Sequence, residues 1–420
     1  MPFLPIRLRR PGASRLTVAL AALLFAAPAV ADWTQWRGPR RDGTVVDFQA
    51  PAQWPAALAQ RWKVEVGEGH SSPLLVGDRA FLHSRQGEEE VVRCLDAATG
   101  REMWKQSYPA SYEMHPAARG HGKGPKSTPL CAEGRLYTLG ISGILSCFDA
   151  KDGSVVWRKE FSQEYPKTSP LYGTAVSPLL ADGLLIAHVG GHDGGALTAF
   201  DAKTGAVRWR WAEDGPAYSS PLVVTIDGVR QLVTQTQGRC VGLSLADGTL
   251  LWSLSFKTPF DQNSISPVQA GDLLVFGGTR QPTFAVRVRK VGDGWQVDRA
   301  WDSRDATFYM STPVYRDGKL YGFSERQRGQ FVTLDAATGR LLWEGGARSG
   351  DNAALLLADG YLLGLTTDAD LLVFRPEGEA LTEVARYEVA ESPTWATPAI
   401  DGRRILIKDL DSLVLWELPR

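Results

Sequence analysis

The stretch Asp96-Ala97-Ala98-Thr99-Gly100-Arg101-Glu102-Met103-Trp104 contains a turn followed by a tryptophan, and its frame returns along the chain. The frame is an Asp, a Gly four positions later and a Trp four positions after the Gly. It recurs at Asp149…Gly153…Trp157, Asp201…Gly205…Trp209 and Asp335…Gly339…Trp343, with a partial copy at Asp247-Gly248 and Trp252. Repetition at a fixed period indicates one structural unit used several times.

A second signature, a small or hydroxyl residue before Pro and an apolar run, has the same period. Its copies are Ser71-Ser72-Pro73-Leu74, Ser127-Thr128-Pro129-Leu130, Ser177-Pro178-Leu179, Ser219-Ser220-Pro221-Leu222, Ser266-Pro267-Val268, Ser311-Thr312-Pro313-Val314 and Ala396-Thr397-Pro398-Ala399, with a degenerate copy near Asn352-Ala353-Ala354-Leu355. These copies give about eight units with a period of roughly 46 residues, which is in the range of β-propellers.

Each unit reads as four short strands joined by hairpin turns. An apolar strand follows the Pro, and Asp-Gly and Thr-Gly pairs supply turns in which Gly takes the positive φ that the hairpin needs. We therefore predict an all-β fold, an eight-bladed β-propeller of four-stranded antiparallel blades. The large Trp side chains are predicted to dock structurally against neighbouring blades: Trp62, Trp104, Trp157, Trp209, Trp252 and Trp343.

The two ends of the chain indicate how the ring closes. After Pro398 there is room for three strands only, whereas an unassigned strand, Gln60–Val66, precedes the first unit. Pairing of the N- and C-terminal strands in one blade would close the ring and remove an exposed sheet edge. We expect residues 58–420 to form a single propeller domain, with residues 32–57 as an N-terminal segment packing on it.

Composition limits the function classes. The 420 residues are 22% charged and 44% hydrophobic with a formal net charge of −1, which is typical of a globular protein. A near-neutral charge gives no reason to expect a nucleic-acid partner. Four cysteines in a chain of this length exclude a disulfide-stapled mini-domain. We expect a monomer.

The first 31 residues have the layout of a secretory signal peptide. Arginines precede an apolar run from Leu16 to Ala27, and Ala29-Val30-Ala31 supplies a cleavage site. The run is short for a transmembrane helix, and no Cys near the cleavage point offers a lipid anchor. These features predict a soluble, exported, periplasmic protein that is not a lipoprotein and has no transmembrane segment after cleavage.

The repeated frame resembles the tryptophan-docking repeat of propellers of the pyrroloquinoline-quinone (PQQ) type. That group includes quinoprotein alcohol dehydrogenases and the outer-membrane assembly factor BamB. The stretch Trp33-Thr34-Gln35-Trp36-Arg37-Gly38-Pro39-Arg40-Arg41-Asp42-Gly43 is similar to the start of exported PQQ-binding-like repeat proteins. The resemblance covers essentially the whole chain after the signal peptide, and the matching residues are those that build blades.

The dehydrogenases of this group hold PQQ between a Trp and a disulfide of adjacent cysteines, with Ca²⁺ on carboxylate and amide side chains. Here no two of Cys94, Cys131, Cys147 and Cys240 are adjacent, and no Cys-x-x-Cys-His motif offers a covalent haem. Cys94 and Cys147 occupy equivalent positions, where a small buried residue is the simpler interpretation. We expect no cofactor, while PQQ with calcium stays open because other side chains can stack on a quinone.

Two further motifs lack the context that their chemistry needs. Residues 120–127 resemble a phosphate loop, but Pro125 replaces its last Gly and a strand follows. His188 and His192 have a zinc-like spacing, but a Gly-Gly hairpin separates them instead of a helical turn. We therefore predict no metal site and assign no catalytic residue.

Function is expected on the loops at one face of the propeller, the funnel face, where the connections between blades meet those between second and third strands. The polar and aromatic residues predicted there to bind a ligand or partner are Tyr112, His115, Arg119, His121, Lys123, Lys126, Tyr172, His192, Asp193, Tyr218, Gln237, Asp261, Asn263, Arg280, Tyr309, Arg326, Asn352 and Trp395. Arg119, His121, Lys123, Lys126, Arg280 and Arg326 are expected to converge.

The preferred functional interpretation is an exported, non-catalytic binding or scaffold propeller similar to BamB. Its partner would be a protein or peptide of the cell envelope, or an anionic or carbohydrate-like small ligand held by cations between aromatic walls. A PQQ-dependent oxidoreductase with an atypical site and a carbohydrate-binding propeller stay open as alternatives.

Overall fold

The computed structural model describes residues 1–2, 32–192 and 194–419. The predicted signal peptide falls almost wholly outside these residues, and Asp193 lies outside them too. In the described part, the strands are β1 (Thr44–Val45), β2 (Ala59–Glu65) and a series that fills the blades in chain order. The described residues form eight sheets, one per blade.

The first four blades contain four strands each. Blade 1 has β3 (Leu74–Val76), β4 (Arg79–Gln86), β5 (Glu89–Asp96) and β6 (Glu102–Pro109). Blade 2 has β7 (Leu130–Ala132), β8 (Arg135–Leu139), β9 (Leu145–Asp149) and β10 (Val155–Lys159). Blade 3 has β11 (Leu179–Ala181), β12 (Leu184–Gly191), β13 (Gly194–Asp201) and β14 (Val207–Trp211). Blade 4 has β15 (Leu222–Ile226), β16 (Val229–Gln235), β17 (Arg239–Ser244) and β18 (Leu250–Ser255).

The remaining blades follow the same order. Blade 5 has β19 (Val268–Ala270), β20 (Leu273–Phe276), β21 (Thr283–Val291) and β22 (Gly294–Ser303). Blade 6 has β23 (Val314–Arg316), β24 (Lys319–Ser324), β25 (Gln330–Asp335) and β26 (Leu341–Glu344). Blade 7 has β27 (Ala353–Ala358), β28 (Tyr361–Thr366), β29 (Asp370–Glu377) and β30 (Ala380–Glu388). Blade 8 has β31 (Ala399–Asp401), β32 (Arg404–Lys408) and β33 (Ser412–Glu417). Three short 3₁₀ helices lie in loops of the described structure, at Pro116–His121, Pro259–Asp261 and Arg326–Arg328.

The predicted ring closure is confirmed. Strand β2 pairs antiparallel with β33, so blade 8 has the order β2-β33-β32-β31 and takes its outer strand from the N-terminal part of the chain. Strand β1 adds in parallel to β27 and makes blade 7 five-stranded. The eight-bladed propeller predicted from the repeats is therefore the observed fold.

The Asp-x-x-Thr-Gly turns are fixed by local hydrogen bonds. In blade 1, the Asp96 carboxylate accepts bonds from the Thr99 amide at 2.9 Å and the Thr99 hydroxyl at 2.7 Å. Gly100 closes the turn with a φ of +72°, a conformation that side chains disfavour. The same carboxylate-to-threonine pair forms at Asp201 and at Asp335.

Five tryptophans of the described structure reach the turn of the following blade. The indole N–H of Trp104 donates to the carbonyl of Ala150 at 3.2 Å, and a Cβ built on Gly153 would lie 2.5 Å from the Trp104 ring. The same arrangement joins Trp62 to blade 1, Trp157 to blade 3, Trp209 to blade 4 and Trp301 to blade 6. The Gly of the turn is needed because the indole lies against its backbone.

The residue two positions before the Asp of the Asp-x-x-Thr-Gly turn is small in these blades because it lies opposite the Trp. The strand register shifts next to this pair. Across the third and fourth strands, Trp104 faces Cys94, Trp157 faces Cys147 and Trp209 faces Ala199. The four cysteines of the chain are free and buried. Cys94 and Cys147 therefore serve as small residues opposite an indole.

Two of the predicted tryptophans reach the next blade without bonding to a turn, because the Trp252 ring lies 6.4 Å from the Phe276 ring of blade 5 and Trp343 packs on a core cluster shared by blades 6 and 7. Trp252 donates to the Gln231 side chain of its own blade at 2.7 Å, and Trp343 has no described bond to a following turn. Blades 5 and 7, which follow them, lack the Asp-x-x-Thr-Gly turn, so the carbonyl acceptor and the glycine platform are missing. Trp301 docks on Gly339, although it lies outside the repeated frame.

The residues before each Pro form a belt of hydroxyls around the central channel. Six of the belt amides donate to the hydroxyl of the next blade's belt residue at 2.9–3.3 Å: Ser72 to Thr128, Thr128 to Ser177, Ser177 to Ser220, Ser220 to Ser266, Ser266 to Thr312, and Thr397 back to Ser72. These bonds satisfy buried amides and join neighbouring blades. In blade 7 the belt position is Ala354, which has no hydroxyl.

Candidate functional site

The segment from Trp33 to Val45 lies across the channel and contacts the innermost strands of most blades. Trp33 pairs with Leu75 of blade 1, the Thr34 carbonyl accepts from the Cys131 amide of blade 2, and β1 joins blade 7. Trp36 lines the central cavity from this side. The segment thus forms the floor of a blind funnel.

Two buried arginines hold this floor in place. The Arg37 guanidinium donates to the carbonyls of Thr312 and Pro313, each at 2.8 Å. Arg41 donates to the carbonyls of Pro178 at 3.0 Å and Pro221 at 3.1 Å. Burial lowers the pKa of Arg37 to about 10 and that of Arg41 to about 9, so both stay cationic at neutral pH.

The funnel cavity holds about 910 Å³ of space open to solvent at the funnel face. Belt hydroxyls and Trp36 form its base, and the loops that join the blades form its wall. The wall residues are His70, His121, Lys126, Tyr172, Ala175, Tyr218, Gln262, Ser264, Met310 and Trp395. No Asp or Glu is among the described residues that line it.

Aromatic rings form a continuous arc along the wall. His121 lies with ring centroids 5.4 Å from Trp395 and 6.0 Å from Tyr172. Tyr172 lies 5.9 Å from Tyr218, which lies 6.1 Å from His192. Rings of this kind offer both apolar faces and polar edges to a ligand.

Lys126 places a titratable amine in this wall. Its Nζ has one long contact, 3.5 Å to the Gly122 carbonyl, and burial lowers the Lys126 pKa to about 7. Burial, with Lys126, Lys408 and His121 nearby, lowers the pKa of His70 to about 3. His70 is thus neutral at pH 7, and its Nε2 lies 3.1 Å from the His121 carbonyl. The wall becomes cationic when Lys126 is protonated.

The structure brings together only part of the predicted set. Of the predicted residues, the funnel cavity is lined by His121, Lys126, Tyr172, Tyr218 and Trp395. The expected convergence of six basic residues is limited to His121 and Lys126. Arg119, Arg280 and Arg326 are exposed to solvent, and Lys123 lies 3.5 Å from the Glu88 carboxylate, because their loops carry them to the outer surface.

Other predicted residues stabilise the loops. Asn263 is fully buried and its amide donates to the carbonyls of Thr236 and Phe256. His115 caps the first 3₁₀ helix by accepting from the Ala117 amide, and Tyr112 is buried. These three residues have structural roles.

The rim next to Tyr218 contains a polar cluster. Asp261 lies 3.7 Å from His192 Nδ1 and accepts a bond from the Gln237 amide at 3.1 Å. The neighbouring Asp193 was also predicted for the site but lies outside the described residues. Tyr309 is half-buried on the same face, and burial raises its pKa to about 12.

Sequence reasoning assigned no role to Trp36, Arg37, His70 or Met310. The stretch that contains Trp36 and Arg37 stood out only as a resemblance. The signal that could have found them is the density of Arg and Trp in residues 33–41, which is unusual for a solvated linker.

The residues present do not fit the calcium-bound quinone of the related dehydrogenases. The four cysteines are free, they lie in blades 1, 2 and 4, and no two are adjacent in the chain, so none can form a disulfide between adjacent residues. Of the carboxylates and amides that would hold calcium, only Gln262 lines the described cavity. Among the described residues, no group of three or more His, Cys, Asp or Glu side chains is placed to hold a metal ion.

The chain is similar in sequence to curated bacterial proteins named as outer membrane protein assembly factors. The protein "Outer membrane protein assembly factor BamB" of Burkholderia pseudomallei is 24% identical over 423 residues, 97% of this chain and 98% of that protein. Its counterpart from Yersinia pestis is 24% identical over 294 residues, 67% of this chain but only 60% of that protein. The chain thus matches about three fifths of the length of that curated relative.

Solved structures show the same architecture. The crystal structure of quinohemoprotein alcohol dehydrogenase from Comamonas testosteroni superposes with a TM-score of 0.68, covering 92% of this chain and 80% of that chain at 13% identity. Identity this low shows the fold alone. No helix in the described residues is long and apolar enough to cross a membrane.

The family described as outer membrane protein assembly factor BamB matches residues 87–344, which contain most of blades 1 to 6. The matched region includes the Asp-x-x-Thr-Gly turns and, apart from Trp62, the tryptophans that dock on them. This chain belongs to that family of PQQ-like β-propellers.

Proposed function

We propose that this protein is a non-catalytic binding protein of the cell envelope that holds a segment of a partner protein on its funnel face. The names of its relatives, assembly factors of the outer membrane, support a role in the envelope and a protein partner. The predicted signal peptide is consistent with export.

The observation that carries this proposal is the conformation of Phe260. This residue lies between blades 4 and 5, on the funnel face, and its side chain is 66% exposed. Its backbone has a φ of +59°, and the following Asp261 has a φ of +56°. A bulky residue rarely adopts this conformation, and strain of this kind concentrates at functional sites. An apolar ring held in water by strained backbone is suited to anchor a partner.

The loops around Phe260 form one connected rim. The Gln281 amide donates to the Lys257 carbonyl at 3.0 Å, and the Glu325 carboxylate accepts from Thr279 and from the Arg280 amide. Further strained residues on this rim are Arg280, Gln327, Arg328 and Arg348, all with positive φ. Exposed arginines beside an aromatic anchor match the composition of protein interfaces.

Site-directed photo-crosslinking in cells tests this proposal. A photo-reactive phenylalanine at position 260 is expected to crosslink a defined envelope protein. The matched control is the same residue at Val291, an exposed apolar position, 53% accessible, in a hairpin on the opposite face. Equal crosslinking at both positions, or none at 260, would contradict the proposal.

A substitution provides the second arm. Phe260→Gly removes the ring and tolerates the positive φ, so the fold is retained while the crosslink formed from a second rim position, such as Arg328, disappears. Val291→Gly should leave that crosslink unchanged.

A further inference from the structure

A second cavity of about 530 Å³ opens from the funnel beside blade 7. Trp36, Met310, Thr312, Trp395 and Thr397 line both cavities, so the two are continuous. The residues that line only this side pocket are Arg37, Asn352, Ala353, Ala354, Leu355, Thr367 and Thr394. Lys126 is not among the residues that line it.

The gap in the hydroxyl belt explains why the pocket exists. Ala354 stands where the other blades have Ser or Thr, so no hydroxyl fills the space beside Thr312. The connection between blades 6 and 7 uses the Ser311 hydroxyl instead, which accepts from the Ala353 amide at 2.9 Å. Ser311 also donates to the Asn352 side-chain oxygen at 3.4 Å, which leaves the Asn352 NH₂ group for another acceptor.

The side pocket is cationic at its base. Arg37 is 3% exposed, and its two terminal nitrogens donate to carbonyls, while its buried Nε has no hydrogen-bond partner in the described structure. The negative charge of Asp42 opposes the effect of burial on the Arg37 pKa. Asp42 does not line the side pocket. An unpartnered buried N–H costs free energy until an acceptor reaches it.

We propose that this side pocket binds the carboxylate of a ligand whose apolar body lies in the funnel cavity between Trp36 and Trp395. The Asn352 NH₂ and the Thr397 hydroxyl supply donors for the carboxylate oxygens, and the Arg37 guanidinium at the base supplies charge. Charge-assisted bonds in a buried site are the strong ones. The site is separate from the Phe260 rim, so it does not rest on the proposed partner-binding function.

Calorimetric titration with 2-naphthoate tests the inference, with 2-naphthamide as the neutral isostere. The unmodified protein should bind 2-naphthoate at least tenfold more tightly than 2-naphthamide. Asn352→Asp retains the acceptor for Ser311 but replaces two donors by a negative oxygen. It should weaken 2-naphthoate binding by more than tenfold and change 2-naphthamide binding less than threefold.

Lys123→Met is the matched control, because it removes a cation of the funnel face whose side chain lines neither cavity. It should change 2-naphthoate affinity less than threefold. Lys126→Met removes the cation that lines the funnel cavity and should weaken 2-naphthoate binding less than Asn352→Asp does. Loss of binding in Lys126→Met with binding retained in Asn352→Asp would place the carboxylate at Lys126 and overturn the inference. Equal affinity for the acid and the amide, or no binding of either, would overturn it as well. A single cooperative unfolding transition in each variant verifies that the fold is intact.

Discussion

Lys126 lies in a wall whose other described residues are aromatic rings, hydroxyls, Ala175, Gln262 and Met310. Its lowered pKa, about 7, means that the folded protein disfavours the ammonium form because burial removes it from water. The pKa of His121 is also lowered, by burial and by the nearby charge of Lys126. The charge of this wall therefore changes near neutral pH.

This coupling predicts a pH dependence of stability. The unfolded chain binds more protons than the folded protein between the folded pKa of about 7 and the ordinary value of 10.5. The free energy of unfolding should therefore rise as pH increases through this window. Urea unfolding at pH 6.5 and pH 9 measures it, and Lys126→Met should lack this part of the increase. Equal increases in both proteins would show that Lys126 is not coupled to folding.

Phe260 permits a prediction about backbone strain. Phe260→Gly and Phe260→Ala both remove the ring, but only Gly accepts a φ of +59° without steric cost. The Gly variant should be more stable than the Ala variant by about 1 kcal/mol. Urea unfolding of the pair measures the difference. A more stable Ala variant would mean that the loop relaxes out of the left-handed conformation.

At the scale of elements, the docking of a tryptophan on the next blade depends on both partners. Trp209 is 7% exposed, donates to the Leu245 carbonyl at 3.0 Å and lies against Gly248. Trp343 occupies the same position in its repeat as Trp209 does, but the blade that follows it has no Asp-x-x-Thr-Gly turn. The repeat thus fixes the position of the Trp, whereas the neighbour determines its contacts.

Trp209→Ala should lower the free energy of unfolding by about 3–5 kcal/mol, since it removes a buried aromatic side chain and an N–H bond. Trp343→Ala is the matched control and should cost less than half as much. Guanidinium unfolding of both variants provides the measurement. Equal costs would show that the turn of the next blade adds little to docking.

At the scale of the whole molecule, closure by β2 and β33 joins the first and last blades. A linear repeat array can unfold by parts, but a closed ring has no free end from which to fray. The belt of hydroxyls adds bonds between neighbouring blades on both sides of the closure, from Thr397 to Ser72 and from Ser72 to Thr128.

Two matched core variants test this cooperativity. Leu413 in the closing blade and Leu232 in blade 4 are both fully buried. Each substitution to Ala should cost about 2–5 kcal/mol and lower the midpoint of a single unfolding transition. Hydrogen exchange followed by mass spectrometry would detect the alternative, an early step in Leu413→Ala that frees β2 while blade 4 stays protected.

The sequence alone determined the number of blades, the strand order within them and the closure of the ring. These features follow from local chemistry that repeats: Asp-Gly and Thr-Gly turns, a Pro before each inner strand and a Trp at a constant spacing. The missing last strand and the unassigned strand at Gln60 indicated the closure, because an unpaired edge is costly. For the site, the sequence identified the correct face and five of the residues that line the cavity, including Lys126 and Trp395.

Only the tertiary structure decided which loop residues converge. Arg119 and Lys126 lie seven positions apart, yet one is exposed to solvent and the other lines the funnel. Arg37 and Trp36 come from a segment outside the repeats, and the side pocket is lined by Ala354, where other blades have a hydroxyl, and by Asn352 two positions before it. Such a site depends on contacts between distant parts of the chain, whereas local sequence patterns report only on near neighbours.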